Sequence, residues 1–177
     1  KCNFTMGPDG KMYSRMLGGN LVRIDVENAR GENLTNGDLV GTKDGSAYGL
    51  VFDPQDENVF YFSNNDKHCI YKYDLRTKEC ACWAGQEGKS GYLDGPIGQA
   101  MFNKPGQMCV DSEGNIILTD TENHCIRKIT MSTGYVSTLA GKPQNSGYVN
   151  GSAEDAQFKK PLGICIDNDD VMYIGDS

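Results

Sequence analysis

Short apolar runs alternate along the chain with clusters of Gly, Asn, Asp and Ser, and apolar positions within a run recur with a period of two. Such runs, separated by turn-forming residues, predict antiparallel hairpins. No segment keeps a helical period over several turns. In the middle of the chain the predicted strands are Met108–Asp111, Ile116–Thr119, Cys125–Thr130 and Tyr135–Ala140.

This pattern is repeated at an offset of 56 residues. When His68–Asp120 is aligned without gaps to His124–Asp176, eighteen of 53 positions are identical. The repeat extends backwards with a two-residue insertion near Gln55, and a weaker copy opens the chain. Four antiparallel strands repeated at this period predict an all-β fold built from β-propeller blades.

The segment Lys104–Ile129, with its text CVDSEGNIILTDTENHCIRKI, resembles the NHL repeat. The linking text LAG, SGY and FKKP resembles the long form of this repeat found in extracellular and envelope proteins. The resemblance implies a six-bladed ring and a location in the bacterial cell envelope or outside the cell. In bacterial surface proteins such propellers often accompany an IPT/TIG domain. The family is functionally broad, so the resemblance is specific for fold rather than for activity.

The repeat divides residues 1–177 into units of about 1–45, 46–102, 103–158 and 159–177, all within one partial propeller domain. This gives about three blades and the start of a fourth. Because propellers close with 4–8 blades, we expect the chain to be an excerpt of a longer propeller that is monomeric when complete. Two half-rings closing as a dimer is the alternative.

Charge and hydropathy narrow the possible partners. The formal charge is −7 and the sequence pI is about 4.8, which argues against nucleic acid as a partner, because such binding depends on Lys and Arg. No apolar run approaches the ~18 residues that cross a bilayer, so direct membrane insertion is not expected. A signal peptide is expected to be absent or already removed.

The seven cysteines are an odd number and cannot all pair within the chain. Cys69 with Cys125, and Cys109 with Cys165, occupy equivalent repeat positions, which we expect to be too far apart for disulfides. Buried thiols are the expected state. Cys80 and Cys82 lie on one face of a predicted strand, where a metal site is conceivable but has no second CxxC or nearby His to support it.

Several polar residues have a structural and a chemical interpretation. His68 and His124 share one repeat position, where we expect packing and hydrogen bonding rather than zinc binding, which needs three or four convergent ligands. Asp120 and Asp176 end second strands and are expected to accept backbone N–H groups of the turn that follows. Metal ligation near the channel mouth is the alternative, but no matching set of inward His and Glu supports it.

Two further charged groups are expected to be structural. Asp167–Asp170 looks like a calcium loop but lacks the Gly and distal Glu of one, which favours a turn. Arg127 and Lys128 are placed on the third strand, towards the outside, in roles of solubility or strand pairing.

The best candidates for binding a ligand lie where the inter-blade linkers enter the innermost strands, because side chains from successive blades converge at that channel rim. Solvated rim residues, and tyrosines that only pack between blades, are the competing interpretations. The candidate residues are Asn103, Lys104, Gln107, Lys160, Tyr92 and Tyr148.

The sequence supports two function classes. One is a non-catalytic module that recognises a glycan or a protein through the linker face and channel rim, without metal or cofactor. The alternative is a metal-dependent propeller hydrolase or lyase, suggested by the fold and the clustered Asp and Asn turns. No catalytic triad, phosphate loop or HExxH motif is present, so no catalytic residue is assigned.

Overall fold

The computed structural model describes residues 3–15, 20–35 and 47–177. These residues form antiparallel sheets and one short 3-10 helix at Thr121–Asn123. The first sheet contains β1 (Asn3–Met6), β2 (Met12–Arg15), β3 (Leu21–Asp25) and β4 (Arg30–Asn33). The second contains β5 (Ala47–Phe52), β6 (Val59–Asn64), β7 (Cys69–Asp74) and β8 (Cys80–Ala84).

The third sheet has a fifth strand, which comes from the preceding linker. Its members are β9 (Gly95–Pro96), β10 (Pro105–Val110), β11 (Ile116–Asp120), β12 (Cys125–Thr130) and β13 (Tyr135–Ala140). Here β9 pairs with the outermost strand, β13. The fourth sheet is a hairpin of β14 (Gly163–Ile166) and β15 (Met172–Gly175). The strands predicted from the alternating pattern are confirmed, and those at 125–130 and 135–140 agree to the residue.

The sheets are arranged radially, with the first strand of each at the centre. Strand β10 contacts both β5 and β14, and β5 also contacts β1. These four inner strands line a cavity of about 480 Å³ at the place of a propeller's central channel. The β-propeller architecture predicted from the repeat is therefore confirmed. The boundary predicted near residue 45 lies outside the described residues.

Apolar side chains fill the spaces between neighbouring sheets. Phe60 and Phe62 face the first sheet, while Tyr61 faces the third. One repeat further on, Ile117 faces the fourth sheet. Successive residues of a strand point to opposite faces. Strands β6 and β11 therefore each pack against both neighbouring sheets.

Hydroxyl groups join the inner strands of neighbouring sheets. Ser63 Oγ accepts from the backbone N–H of Gly49 at 2.8 Å and donates to the carbonyl of Gly106 at 2.6 Å. One repeat later, Thr119 Oγ1 donates to the carbonyl of Leu162 at 3.2 Å. A Cβ at Gly49 would lie 2.8 Å from the Gly106 oxygen, so this approach of two backbones requires glycine.

Candidate functional site on the linker face

The linkers 85–104 and 141–160 cross the same end of the sheets and fold alike; we call this end the linker face. Gly91 N–H donates to the Phe102 carbonyl at 3.0 Å, and Gly147 N–H donates to the Phe158 carbonyl at 3.1 Å. The backbone of the 56-residue repeat is therefore reproduced even where its side chains differ.

A histidine from one sheet holds the linker that enters the next. His68 Nδ1 accepts the backbone N–H of Lys104 at 3.1 Å, and His124 Nδ1 accepts that of Lys160, also at 3.1 Å. All four residues have left-handed backbone, with φ between 54° and 58°. That conformation is uncommon without glycine and requires support from its surroundings. The predicted hydrogen-bonding role of both histidines is confirmed.

The two histidine–lysine couples leave the lysine side chains exposed at successive entrances to the inner strands. Lys160 Nζ lies 3.1 Å from the Glu122 carboxylate. Beside Lys104, the Asn103 backbone N–H donates to Asp120 Oδ1 at 2.8 Å. Gln107 lies further along β10 and lines the central cavity. The structure therefore brings Asn103 and Lys104 together on the rim and places Gln107 inside it.

The two candidate tyrosines have different surroundings. Tyr92 is half-buried, donates or accepts a 2.7 Å hydrogen bond with Thr138 Oγ1, and has the Arg127 guanidinium 4.8 Å from its ring centroid. Tyr148 is 66% exposed, and its ring lies 5.5 Å from Lys159 Nζ. Tyr92 therefore packs within the protein, whereas Tyr148 presents its ring to solvent.

Arg127 lies on the third strand of its sheet, as predicted, but its predicted role in solubility or strand pairing is wrong, because its side chain is completely buried. Its guanidinium contacts Asp120 Oδ2 and Asp94 Oδ1, each at 2.7 Å, and donates to the carbonyls of Met101 and Leu93. Three of these four acceptors belong to the linker, so Arg127 anchors the linker to the third sheet. Lys128, by contrast, pairs near the surface with Asp111, in the turn after β10, at 3.0 Å.

Asp120 is the other centre of this network. Besides Arg127, it accepts from the backbone N–H of Asn103 and from Asn123 Nδ2 at 2.9 Å. Burial raises the pKa of the Asp120 carboxyl to about 6, against the opposing effect of the Arg127 charge. The Arg127 guanidinium and the N–H donors of Asn103 and Asn123 favour the ionised form of this carboxyl. Asp176 accepts from the Lys159 N–H in the same way. Both aspartates accept backbone N–H groups as predicted, but from the preceding linker and not from the turn after the strand.

The Asp-rich turn at 167–170 is a hairpin turn, as predicted. Asp167 Oδ1 accepts from the backbone N–H groups of Asp169 and Val171 at 3.0 and 2.9 Å. Within residues 3–15, 20–35 and 47–177, no three His, Cys, Asp or Glu side chains converge as metal ligands would. In the same part of the chain, no helix has the length and apolar character to span a bilayer.

The hydrogen bond between the Lys104 N–H and His68 Nδ1 makes the stability of the fold depend on pH. Burial and the charge of Lys104 lower the pKa of His68, and only the neutral ring can accept from the Lys104 N–H. Its folded-state pKa is below the unfolded value of about 6.5, so the unfolded chain binds more protons. The hydrogen bond between His68 and Lys104 therefore stabilises the fold fully above about pH 6.5. This stabilisation is lost as the pH falls towards the folded-state pKa of His68.

We expect the unfolding free energy of the wild type, minus that of His68→Asn, to decrease between pH 7 and pH 5. Asparagine tolerates left-handed backbone and does not titrate in this range. Urea unfolding at intervals of half a pH unit measures both proteins. Parallel stability profiles would contradict this role for His68.

Comparisons with known proteins identify the repeat and the fold of this chain. Residues 102–129 match the NHL repeat. The NHL repeat-containing protein 2 of Bos taurus is 29% identical over 104 residues, which cover 58% of this chain and 14% of that protein. The matched repeat includes Lys104 and His124, one member of each histidine–lysine couple, and both members of the Arg127–Asp120 ion pair.

Solved structures reproduce the whole described architecture. A Bacteroides thetaiotaomicron protein of unknown function has a TM-score of 0.88 and 26% identity, with 98% of this chain and 44% of that chain covered. An auxiliary nutrient binding protein from the same species has a TM-score of 0.73 and 27% identity, with 97% and 44% covered. The chain spans less than half the length of either protein.

Proposed function

We propose that this chain is part of a non-catalytic binding module of a bacterial envelope or extracellular protein. The module recognises a carbohydrate or protein ligand on the linker face, at the channel rim. The complete propeller in this proposal is a monomeric six-bladed ring, of which these residues form one part.

The repeated histidine–lysine couple carries the proposal. In two consecutive repeats an imidazole holds a lysine in left-handed backbone, and the ammonium group of that lysine is exposed at the rim. Unfavourable backbone that recurs at one surface position is a feature of ligand-binding sites. Fixed spacing of polar groups around a concave rim gives a ligand several directed contacts at once.

The likeness to an auxiliary nutrient binding protein supports a binding role and an envelope location. The acidic composition, with a formal charge of −7, supports a ligand other than nucleic acid. Lysine ammonium groups and the Asn103 and Gln107 amides can donate hydrogen bonds to sugar hydroxyls, carboxylates or peptide carbonyls.

The experiment uses the full-length protein on a glycan array and in pull-downs, followed by calorimetry with a ligand that binds. Combining Lys104→Asn, Gln107→Ala and Lys160→Asn should weaken binding about tenfold or more, because directed polar contacts are lost. Asparagine keeps the left-handed backbone accessible at both lysine positions.

The matched control combines Lys11→Asn, Gln55→Ala and Lys78→Asn, which change the same residue types at the opposite end of the sheets. It should bind as the wild type does. Equal binding by both triple variants would overturn the assignment of the face. A stoichiometric divalent ion in the purified protein, with turnover of the bound ligand, would support a hydrolase or lyase instead.

A further inference from the structure

Two thiols of the second sheet lie side by side between its outer strands. In the β7–β8 ladder, Tyr71 is opposite Cys82, and the register shifts immediately beyond this pair. Cys69 is two residues from Tyr71 and therefore points to the same face. Cys69 is completely buried, Cys82 is partly exposed, and both pack in the cluster that faces the first sheet.

Both thiols lie next to Gly85 and differ in exposure. A Cβ at Gly85 would lie 3.2 Å from Cys69 Cα, and the Cys82 thiol donates to the Gly85 carbonyl at 3.7 Å. The neighbouring Cys82 thiol and burial raise the pKa of Cys69, whereas Cys69 lowers the pKa of Cys82. Cys82 is also the more exposed of the two, so it is the sulfur better suited to attack an external group.

The next repeat has different residues at this position. Thr138 is the counterpart of Cys82 and contacts Tyr92 and Asp94, and Arg127 is the counterpart of Tyr71. This polar network fastens the outer strand of the third sheet to its linker. Cys125 is the counterpart of Cys69, so Cys82 is the thiol that distinguishes the second sheet from the third.

We propose that Cys69 and Cys82 are a modification site, at which a reversible disulfide fixes β8 to β7. The oxidant is an external disulfide, either that of a thiol–disulfide oxidoreductase or a small-molecule disulfide such as oxidised glutathione.

The reaction is two successive exchanges. The Cys82 thiolate attacks one sulfur of the external disulfide; a Cys82–S bond forms, the external S–S bond breaks, and the departing sulfur takes the electron pair. Cys69 then loses its proton to solvent and attacks the Cys82 sulfur, which releases the second external thiolate. The two cysteines lose two electrons, and the external disulfide gains them as two thiols.

Peptide mapping tests the assignment on the intact chain. The protein is equilibrated in glutathione buffers of increasing oxidised fraction, quenched by alkylation and digested with trypsin. Cleavage after Lys67, Lys72, Lys78 and Lys89 leaves Cys69 in peptide 68–72 and Cys82 in peptide 79–89. We expect these two peptides to become linked, and hydrogen exchange of β8 to slow by about tenfold or more.

Cys80 shares the second peptide and provides the matched control. The link should persist in Cys80→Ser and disappear in both Cys69→Ser and Cys82→Ser, with circular dichroism showing that each variant is folded. A link lost in Cys80→Ser but kept in Cys82→Ser would overturn the pairing. Absence of any 68–72 to 79–89 link in the folded wild type, at the most oxidising ratio, would overturn the site itself.

Discussion

Replacing Arg127 by methionine should lower the free energy of unfolding by about 3–5 kcal/mol, because it leaves the buried Asp120 carboxylate without its counter-ion. Asp120 is fully buried and would keep only its bonds from Asn103 and Asn123. The linker would also lose three acceptor contacts. Urea unfolding followed by circular dichroism measures this change.

Lys128→Met is the control for that experiment. Lys128 is the next residue on β12, and its ion pair with Asp111 is closer to the surface. We expect a loss within about 1 kcal/mol, since pairs near the surface contribute little. If the two variants were equally stable, the Arg127 network would not anchor the linker.

Truncation of Phe102 to alanine is the second change with a large expected effect, a loss of about 3–5 kcal/mol. The ring is completely buried between the sheets and lies under the Arg127 guanidinium, 5.2 Å from its centroid. It also fills the space above Gly85, where a Cβ would lie 2.9 Å from the ring. Its removal leaves a cavity that the surrounding backbone cannot close.

Tyr135 on β13 provides the control, because its ring is 47% exposed. Tyr135→Ala should cost less than about 1 kcal/mol in the same unfolding measurement. Equal losses for the two variants would mean that burial of the Phe102 ring does not stabilise the interface between the sheets.

The strands and their radial order could be predicted because they are determined by local patterns. Period-two alternation places one set of residues on each face, and the 56-residue offset shows that the same unit recurs. The linker hydrogen bonds repeat for the same reason, as the paired contacts of Gly91 and Gly147 illustrate. The role of His68 and His124 was accessible because both residues keep their place in the repeat.

The Arg127 network could not be predicted, because its partners come from distant parts of the chain. A charged residue on an alternating strand is ordinarily expected outside, and only the returning linker brings Asp94 and two carbonyls to it. Its counterpart in the second sheet is Tyr71, so the repeat itself gave no signal.

The histidine–lysine couples on the linker face hold the backbone of the rim but not its side chains. At Lys104 and Lys160 the imidazole holds the main chain and leaves the side chain unconstrained by it. Exchanging these side chains for acidic, amide or aromatic ones would change which molecules are recognised without altering the scaffold. Evolution, or an engineer, could therefore retune specificity blade by blade.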